Sequence, residues 1–96
     1  MREARERRAF KRDLRRELSG RYREILRPVG EFWIVVATIA NDIPLPERYR
    51  DHALQGDYEG SRECHIRPDL LLMYTLEGDD LLRLERLGSH AEIFGM

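Results

Sequence analysis

The stretch "RECHIRPDLLLMY", residues 62–74, contains the pattern that decides the fold. Successive side chains of a β-strand point to opposite faces of the sheet. Cys64 and Ile66 therefore share one face, while Glu63 and His65 share the other. We predict that the first face packs in the core and that the second lines a cleft, so that a single strand holds both core residues and an imidazole beside a carboxylate.

Two more strands follow this first strand in the sequence. Apolar and β-branched residues predict strands at about 61–67, 70–77 and 81–87, with "RPD" and "EGDD" as the turns between them. Leu82 and Leu84 of the last strand alternate with charged residues and should face the core. The three strands are expected to form an antiparallel meander.

The N-terminal half is predicted to be helical. Phe10, Leu14 and Leu18 recur every four residues and form one stripe of an amphipathic helix that "SG" ends. A second, strongly apolar helix is expected to start near Pro28 and to end near Asn41. The predicted fold class is therefore α+β, with two N-terminal helices packed on a small antiparallel sheet.

Composition limits the size and class of the protein. The chain has 96 residues, of which 42% are hydrophobic, and we expect a single domain over residues 1–96. The longest apolar run, 32–37, is far shorter than the roughly 20 residues of a membrane span. With no signal-like apolar segment at the N-terminus, a cytoplasmic location without membrane contact is expected. Cys64, the single cysteine, should be a small buried hydrophobic residue.

Positive charge is concentrated at the N-terminus. Residues 1–27 contain 11 of the 17 basic and 5 of the 18 acidic side chains, which gives this segment a net charge of +6 and the remainder −7. Such a block is most often a solvated helix face, but it is also how proteins bind phosphate backbones or acidic partners.

The three histidines, His52, His65 and His90, lie at loop or strand positions of the C-terminal half, and their spacing does not match a zinc motif. A single histidine is usually structural, but three suit acid and base chemistry near neutral pH. Glu63 and Asp69 could fix the tautomers of these rings or stabilise an imidazolium. His52 lies in "DIPLPERYRDHALQGDYEG", which is typical of a long ordered loop.

The order of these residues resembles a known family. "LPERYRDHALQGDYEGSRECHIRPDLLLMY" followed by "RLERLGSHAEIFG" is similar to the YafQ-like branch of the RelE/ParE superfamily of bacterial toxins. The resemblance runs from about residue 45 to residue 95 and extends more loosely to "FKRDL" in the first helix. It implies a RelE-like fold, similar to that of microbial ribonucleases, with or without a short N-terminal strand.

The resemblance also implies a function. The toxins of this family are ribosome-dependent mRNA endonucleases that act without a metal or other cofactor. The partners expected on this basis are a cognate antitoxin protein, the ribosome and mRNA, with operator DNA bound only jointly with the antitoxin. Two alternatives stay open: a non-catalytic relative that acts on another target such as gyrase, and a DNA-binding regulator, which lacks support from a helix-turn-helix pattern.

Six positions correspond to the family's active site and are the expected catalytic residues: His52, Glu63, His65, Asp69, His90 and Phe94. RNA cleavage without a metal needs a base for the 2′-hydroxyl, a cation for the phosphorane and an acid for the 5′-oxygen. We assign His52 or His65 as the base, His90 as the acid, Asp69 as an orienting or proton-sharing carboxylate, and Phe94 as a platform for a nucleobase.

The RNA contacts expected from the basic segment 1–27 are Arg12, Arg15 and Arg16. Arg86, outside that segment, could contact the scissile phosphate through its guanidinium. The sequence departs from the family at Leu70, since an aromatic residue usually follows "PD" and would contribute to RNA binding. Stacking from that position is lost. A second departure is the highly charged "MREARERR", which makes an N-terminal strand short, frayed or helical.

Overall fold

A computed structural model describes residues 1–95 and has a mixed α and β architecture, as predicted. The strands are β1 (Glu3–Glu6), β2 (His52–Ala53), β3 (Arg62–Arg67), β4 (Leu70–Glu77) and β5 (Leu81–Gly88). The helices are α1 (Arg8–Leu18), α2 (Arg23–Leu26), α3 (Glu31–Ala40) and α4 (His90–Phe94). The three strands predicted for the C-terminal half are confirmed to within one residue at each end. Within residues 1–95, no helix is long and apolar enough to cross a membrane.

The five strands form one sheet in the order β1-β5-β4-β3-β2. Strands β3, β4 and β5 make the predicted antiparallel meander, and β2 extends it as a two-residue antiparallel edge. The sheet is not wholly antiparallel, however, because β1 pairs in parallel with β5. The N-terminal strand that the resemblance allowed therefore adds a parallel edge to the predicted antiparallel strands.

Strand β1 forms despite its charged sequence, because backbone contacts hold it. All four of its residues are exposed. The Glu3 amide donates to the Asp80 carbonyl at 2.9 Å, and the Arg7 amide donates to the Leu84 carbonyl at 3.0 Å. An edge strand of this kind needs no alternating apolar residues, which is why composition alone could not decide its structure.

The second long helix begins at Glu31, three residues later than predicted. Pro28 lies outside it because the chain turns sharply here. Val29 has a left-handed φ of 61°, and a Cβ on Gly30 would lie 2.7 Å from the Ile25 carbonyl oxygen. This turn separates α3 from the short helix α2, which the periodicity had not predicted.

Helices α1, α2 and α3 cover one face of the sheet and contribute to the main core. Phe10 of α1 and Phe32 of α3 stack at 6.0 Å between ring centroids. The sheet residues of this core are Cys64, Ile66, Leu70, Leu72, Tyr74, Leu82, Leu84 and Leu87. Leu82 and Leu84 are buried as predicted, and burial raises the pKa of the Cys64 thiol, as expected for a small core residue.

The opposite face of the sheet is mostly open. A small second cluster on it consists of Leu71, Met73 and Ile93, with Leu54 and Phe94 packed at its edge. The predicted long loop crosses this side and is ordered by 3₁₀ turns at Glu47–Tyr49 and Gly56–Tyr58, on either side of β2. We refer to the two sides of the sheet as the helix-covered face and the open face.

Candidate active site

Strand β3 places Glu63 and His65 on the open face, as the alternation predicted. Strand β2 is paired with β3 so that His52 lies opposite Glu63, and α4 brings His90 from the other side. The Nε2 atoms of His52, His65 and His90 lie 3.2, 3.5 and 3.4 Å from the same oxygen, Oε1 of Glu63. We call these four residues the histidine cluster.

Glu63 is at the centre of this cluster and is 3% exposed. Its second oxygen, Oε2, is buried and has no hydrogen-bond partner within residues 1–95. Of the three contacts to Oε1, that of His90 Nε2 is a long hydrogen bond and those of His52 and His65 are close polar contacts, so the three imidazoles surround one carboxylate oxygen. Such a cluster can hold a proton on any of three rings, which is what acid and base chemistry requires.

The position of His52 is set by the residues just before it. Its Nδ1 donates to the Arg50 carbonyl oxygen at 2.7 Å, which directs Nε2 towards Glu63. Asp51 anchors this segment to the sheet, because its oxygens accept from the Tyr74 hydroxyl at 2.5 Å and from Arg62 Nη2 at 3.2 Å.

Helix α4 presents His90 and Phe94 from its two ends. It begins at a capping box, in which the Ser89 hydroxyl accepts from the Glu92 amide and the Glu92 carboxylate accepts from the Ser89 amide. Gly95, with a φ of 74°, ends it. His90 and Phe94 are four residues apart and therefore adjacent on the helix surface. Their ring centroids lie 5.2 Å apart, and the Phe94 and Tyr58 rings are nearly perpendicular, with centroids 4.8 Å apart.

Burial of the His65 ring lowers the pKa of this imidazole, because burial disfavours the charged form. The Glu63 carboxylate opposes this change, whereas the positive charge of Arg50 and the two neighbouring imidazoles reinforce it. The lowered pKa favours the neutral form of the His65 ring near pH 7, and a neutral imidazole can accept a proton.

The structure does not bring Asp69 to the histidine cluster. Asp69 lies at the tip of the β3–β4 turn and contacts Arg21 and Tyr22. The hydrogen bond from Tyr22, together with the charge of Arg21, lowers the pKa of this carboxyl. Strand β3 ends at Arg67, and the turn that follows carries Asp69 to Arg21 and Tyr22 rather than to Glu63. Its catalytic role is still a prediction from the resemblance alone.

The four arginines predicted to contact RNA are in different environments. Arg12 and Arg15 are exposed on α1. Arg16 and Arg86 are instead bound to Asp13, through contacts of 3.1 Å from Arg16 Nη1 and 2.7 Å from Arg86 Nε. The Arg86 guanidinium is thus occupied by protein groups.

Sequence reasoning missed a basic cleft next to His65. This cleft of about 350 Å³ is lined by three arginines, Arg48, Arg50 and Arg67, together with Tyr49, His65, Ile66 and Pro68. Arg67 is fixed by a two-pronged contact with Glu31, at 2.9 and 3.2 Å. Arg50 also borders a neighbouring cleft, which His52 lines as well. The available signal was the cation two positions before His52 in "YRDH".

A metal ion could also bind at this cluster. The ligand atoms of Glu63, His65 and His90 lie within 4.8 Å of one another. Two imidazole nitrogens and one carboxylate oxygen are a ligand set that zinc or copper accepts. The expectation of chemistry without a metal stays a prediction.

The known proteins to which this chain is similar include bacterial toxins. A family model described as a bacterial toxin of type II toxin-antitoxin systems, YafQ, matches residues 2–95. The mRNA interferase toxin YafQ of Escherichia coli K12 is 48% identical over 63 residues, which are 66% of this chain and 67% of that protein.

Two solved structures extend this similarity to the fold. The toxin of the E. coli DinJ-YafQ toxin-antitoxin complex is 33% identical, with a TM-score of 0.76 over 98% of each chain. A metal-bound toxin from Helicobacter pylori is 34% identical, with a TM-score of 0.82 over 98% of this chain and 100% of that one. The match over residues 2–95, supported by these relatives, shows that this chain belongs to the YafQ family of bacterial type II toxins.

Proposed function

We propose that the chain is an endoribonuclease that cleaves mRNA on the ribosome and is inhibited by a cognate antitoxin. The observation that supports this most strongly is the histidine cluster, in which three Nε2 atoms lie 3.2 to 3.5 Å from one buried carboxylate oxygen. The name of the E. coli relative, an mRNA interferase, supports the same reaction class.

The reaction transfers one proton at each end of the phosphodiester. A neutral imidazole takes the proton of the 2′-hydroxyl, and the oxygen attacks phosphorus. The bond to the 5′-oxygen breaks, and this oxygen takes a proton from a second imidazole. The products are a 2′,3′-cyclic phosphate and a 5′-hydroxyl, so protons and electrons balance. Proton transfers of this kind accelerate reactions by about 100- to 10,000-fold.

Of the two candidate bases, the structure favours His65. Its lowered pKa supplies the neutral ring that a base needs, and Glu63 stabilises the imidazolium that forms. His90, half-exposed at the start of α4, is then the acid for the 5′-oxygen. His52, fixed by the Arg50 carbonyl, donates to the phosphate or returns the proton to the cluster.

The RNA is proposed to cross the open face between two unlike surfaces. The basic cleft adjoins His65, and Arg50 there offers a cation to the phosphate. Phe94 and Tyr58 lie beyond His90 and offer aromatic rings to a nucleobase. Leu70 is fully buried in the core, so this aromatic pair takes over the stacking that its position cannot provide.

Two further surfaces are proposed to bind macromolecules. The exposed side chains of Arg12 and Arg15, within the positive segment 1–27, are proposed to contact ribosomal RNA. Exposed apolar side chains of the α2–α3 region, Ile34 among them at 63% exposure, are proposed to lie against the antitoxin. The solved toxin-antitoxin complex of the E. coli relative supports such a partner.

Expression of the chain alone in a bacterial host tests this function. Growth should stop and mRNA should be cut within translated regions, while co-expression of the antitoxin encoded next to the gene should prevent both. The matched control is His65→Ala at the same expression level, which should not cut mRNA. Growth arrest with intact mRNA by both proteins would instead support a non-catalytic toxin.

A further inference from the structure

Asp13 of α1 is a buried carboxylate that the proposed reaction does not use. It is 0% exposed. Its Oδ2 accepts from Arg86 Nε at 2.7 Å and from the Leu87 amide at 3.0 Å, and its Oδ1 accepts from Arg16 Nη1 at 3.1 Å. A buried charge is costly, and replacing such a group by an apolar residue is often neutral or stabilising. Stability alone therefore does not explain an aspartate at this position.

Arg86 connects Asp13 to the C-terminal end of α4. While its Nε contacts Asp13, its Nη2 donates to the Glu92 carbonyl at 3.3 Å and its Nη1 donates to the Ile93 carbonyl at 3.4 Å. The last carbonyls of a helix lack partners within the helix, and a cation there is favourable. One guanidinium thus ties α1 to the end of α4.

Arg16 connects Asp13 to the N-terminal end of α4. Its Nη2 donates to the Leu87 carbonyl at 2.8 Å, and its Nε lies 3.3 Å from the carboxylate of Glu92. Glu92 is the residue that closes the capping box with Ser89. The approach is so close that a Cβ on Gly88 would lie 2.6 Å from Arg16 Nη2. Gly88 also has a φ of 151°, so a larger residue here would strain the backbone and displace the Arg16 guanidinium.

Helix α4 has five residues, too few to be stable by its own hydrogen bonds. Its position must come from contacts with the rest of the protein, and those contacts set where its first residue, His90, and its last, Phe94, lie. Because Ile93 is buried on the open face, its side of α4 packs against the sheet. The contacts from Asp13 through Arg16 and Arg86 fix the two ends.

We propose that Asp13 is a positioning residue: through Arg16 and Arg86 it holds α4 so that His90 reaches Glu63 and Phe94 faces the RNA. The inference about cleavage rests on the proposed function, whereas the placement of α4 does not. An error of about 1 Å in a catalytic group can reduce a rate about 100-fold, so small movements of α4 should affect cleavage strongly.

The test variant is Asp13→Asn, which keeps the shape of the side chain but removes its charge. The matched control is Glu77→Gln, since Arg83 Nε donates to Glu77 Oε2 at the same 2.7 Å on the exposed surface, away from α4. Imidazole ¹⁵N NMR signals are compared for His90 and His52. In Asp13→Asn the His90 signals should shift or broaden clearly more than those of His52, which is connected to His90 only through the shared Glu63 oxygen. In Glu77→Gln neither should change.

Single-turnover cleavage provides the second measurement, made at a temperature where circular dichroism shows both variants folded. Asp13→Asn should lower the maximal rate about 10- to 100-fold with the KM for programmed ribosomes little changed. In a double-mutant cycle with Arg86→Gln, the combined loss should equal the larger single loss, because both changes break one connection.

Three results would overturn the proposal: unchanged His90 signals in Asp13→Asn, equal changes at His90 and His52, or losses that multiply in the double variant. The last result would mean that Arg86 contacts the phosphate independently of Asp13. If Asp13→Asn does not fold, Arg86→Lys tests the same connection, since an ammonium cannot span Asp13 and both helix carbonyls. A wild-type chain that does not cleave RNA would refute the proposed function and leave the NMR comparison valid.

Discussion

The two faces of the sheet differ in how the same strand is used. On the helix-covered face, Cys64 and Ile66 are 0% and 3% exposed and pack against apolar side chains of α1 and α3. On the open face, the intervening residues Glu63 and His65 meet two more imidazoles beside a cleft. Alternation along six residues therefore separates the groups that stabilise the protein from those that are placed to react.

This separation predicts that substitutions on the open face impair cleavage without unfolding the protein. The largest effect is expected for His52→Ala and His90→Ala, which should each slow single-turnover cleavage on programmed ribosomes by about 100- to 10,000-fold, the contribution of a general acid or base. Both side chains are about half exposed, so the melting temperature should change little.

Chelation provides the control for this experiment. A chelator selective for transition metals, added to ribosomes kept in magnesium, should leave the wild-type rate intact. Wild-type rates in both alanine variants would contradict the acid and base roles. Loss of wild-type cleavage on chelation would show that Glu63, His65 and His90 act as metal ligands.

The sequence predicted the helix-covered face better than the open face. The core strands follow from the period-two pattern, and Leu82 and Leu84 could be assigned to the core directly. The histidine cluster depends on three separate elements that meet in space, and only the resemblance to a family brought them together. The five-residue helix α4 was missed because it is too short for a periodic signal.

The surroundings of two predicted site residues could not be read from the sequence. Asp69 lies in the turn after β3 and contacts Arg21 and Tyr22, which are 48 and 47 residues away in the sequence. The assignment of Arg86 to the scissile phosphate stays a prediction, but the sequence did not reveal the contact that its guanidinium makes within the protein. Its partner Asp13 is 73 residues away and fully buried. Long-range polar contacts of this type have no local pattern.

The next prediction concerns the binding of RNA in the basic cleft beside His65. Replacing Arg50 by Gln should weaken RNA binding about 10-fold and reduce the dependence of affinity on salt, because one phosphate contact is lost. Arg83→Gln, on the far end of the sheet, is the control for a general loss of positive charge. Affinity and its dependence on salt are measured by filter binding of single-stranded RNA. Equal effects of the two variants would show that RNA does not bind in the basic cleft.

The smallest expected effect concerns the pH dependence of stability. The folded-state pKa of His65 lies below its unfolded value of about 6.5. Between these values the unfolded chain binds more protons, so acidification destabilises the wild type. The groups facing this ring are Glu63, His52, His90 and Arg50.

The variant that tests this pH dependence is His65→Gln, which removes the titrating ring. Between about pH 7.5 and pH 5.5 its melting temperature should fall less than that of the wild type, by a few degrees at most. An equal fall in melting temperature in the two proteins would show that His65 does not cause the expected destabilisation at low pH.

The separation of the two faces is tested most directly by two adjacent residues of β3. Melting temperature and single-turnover cleavage are measured in parallel for His65→Ala and Ile66→Ala. His65→Ala should lose about 100- to 10,000-fold in rate while keeping its melting temperature. Ile66→Ala should lose about 2 to 5 kcal/mol of stability while cleaving at the wild-type rate below its transition. If both variants lost stability and cleavage in the same proportion, or if His65→Ala cleaved normally, the assignment of chemistry to the open face would be contradicted.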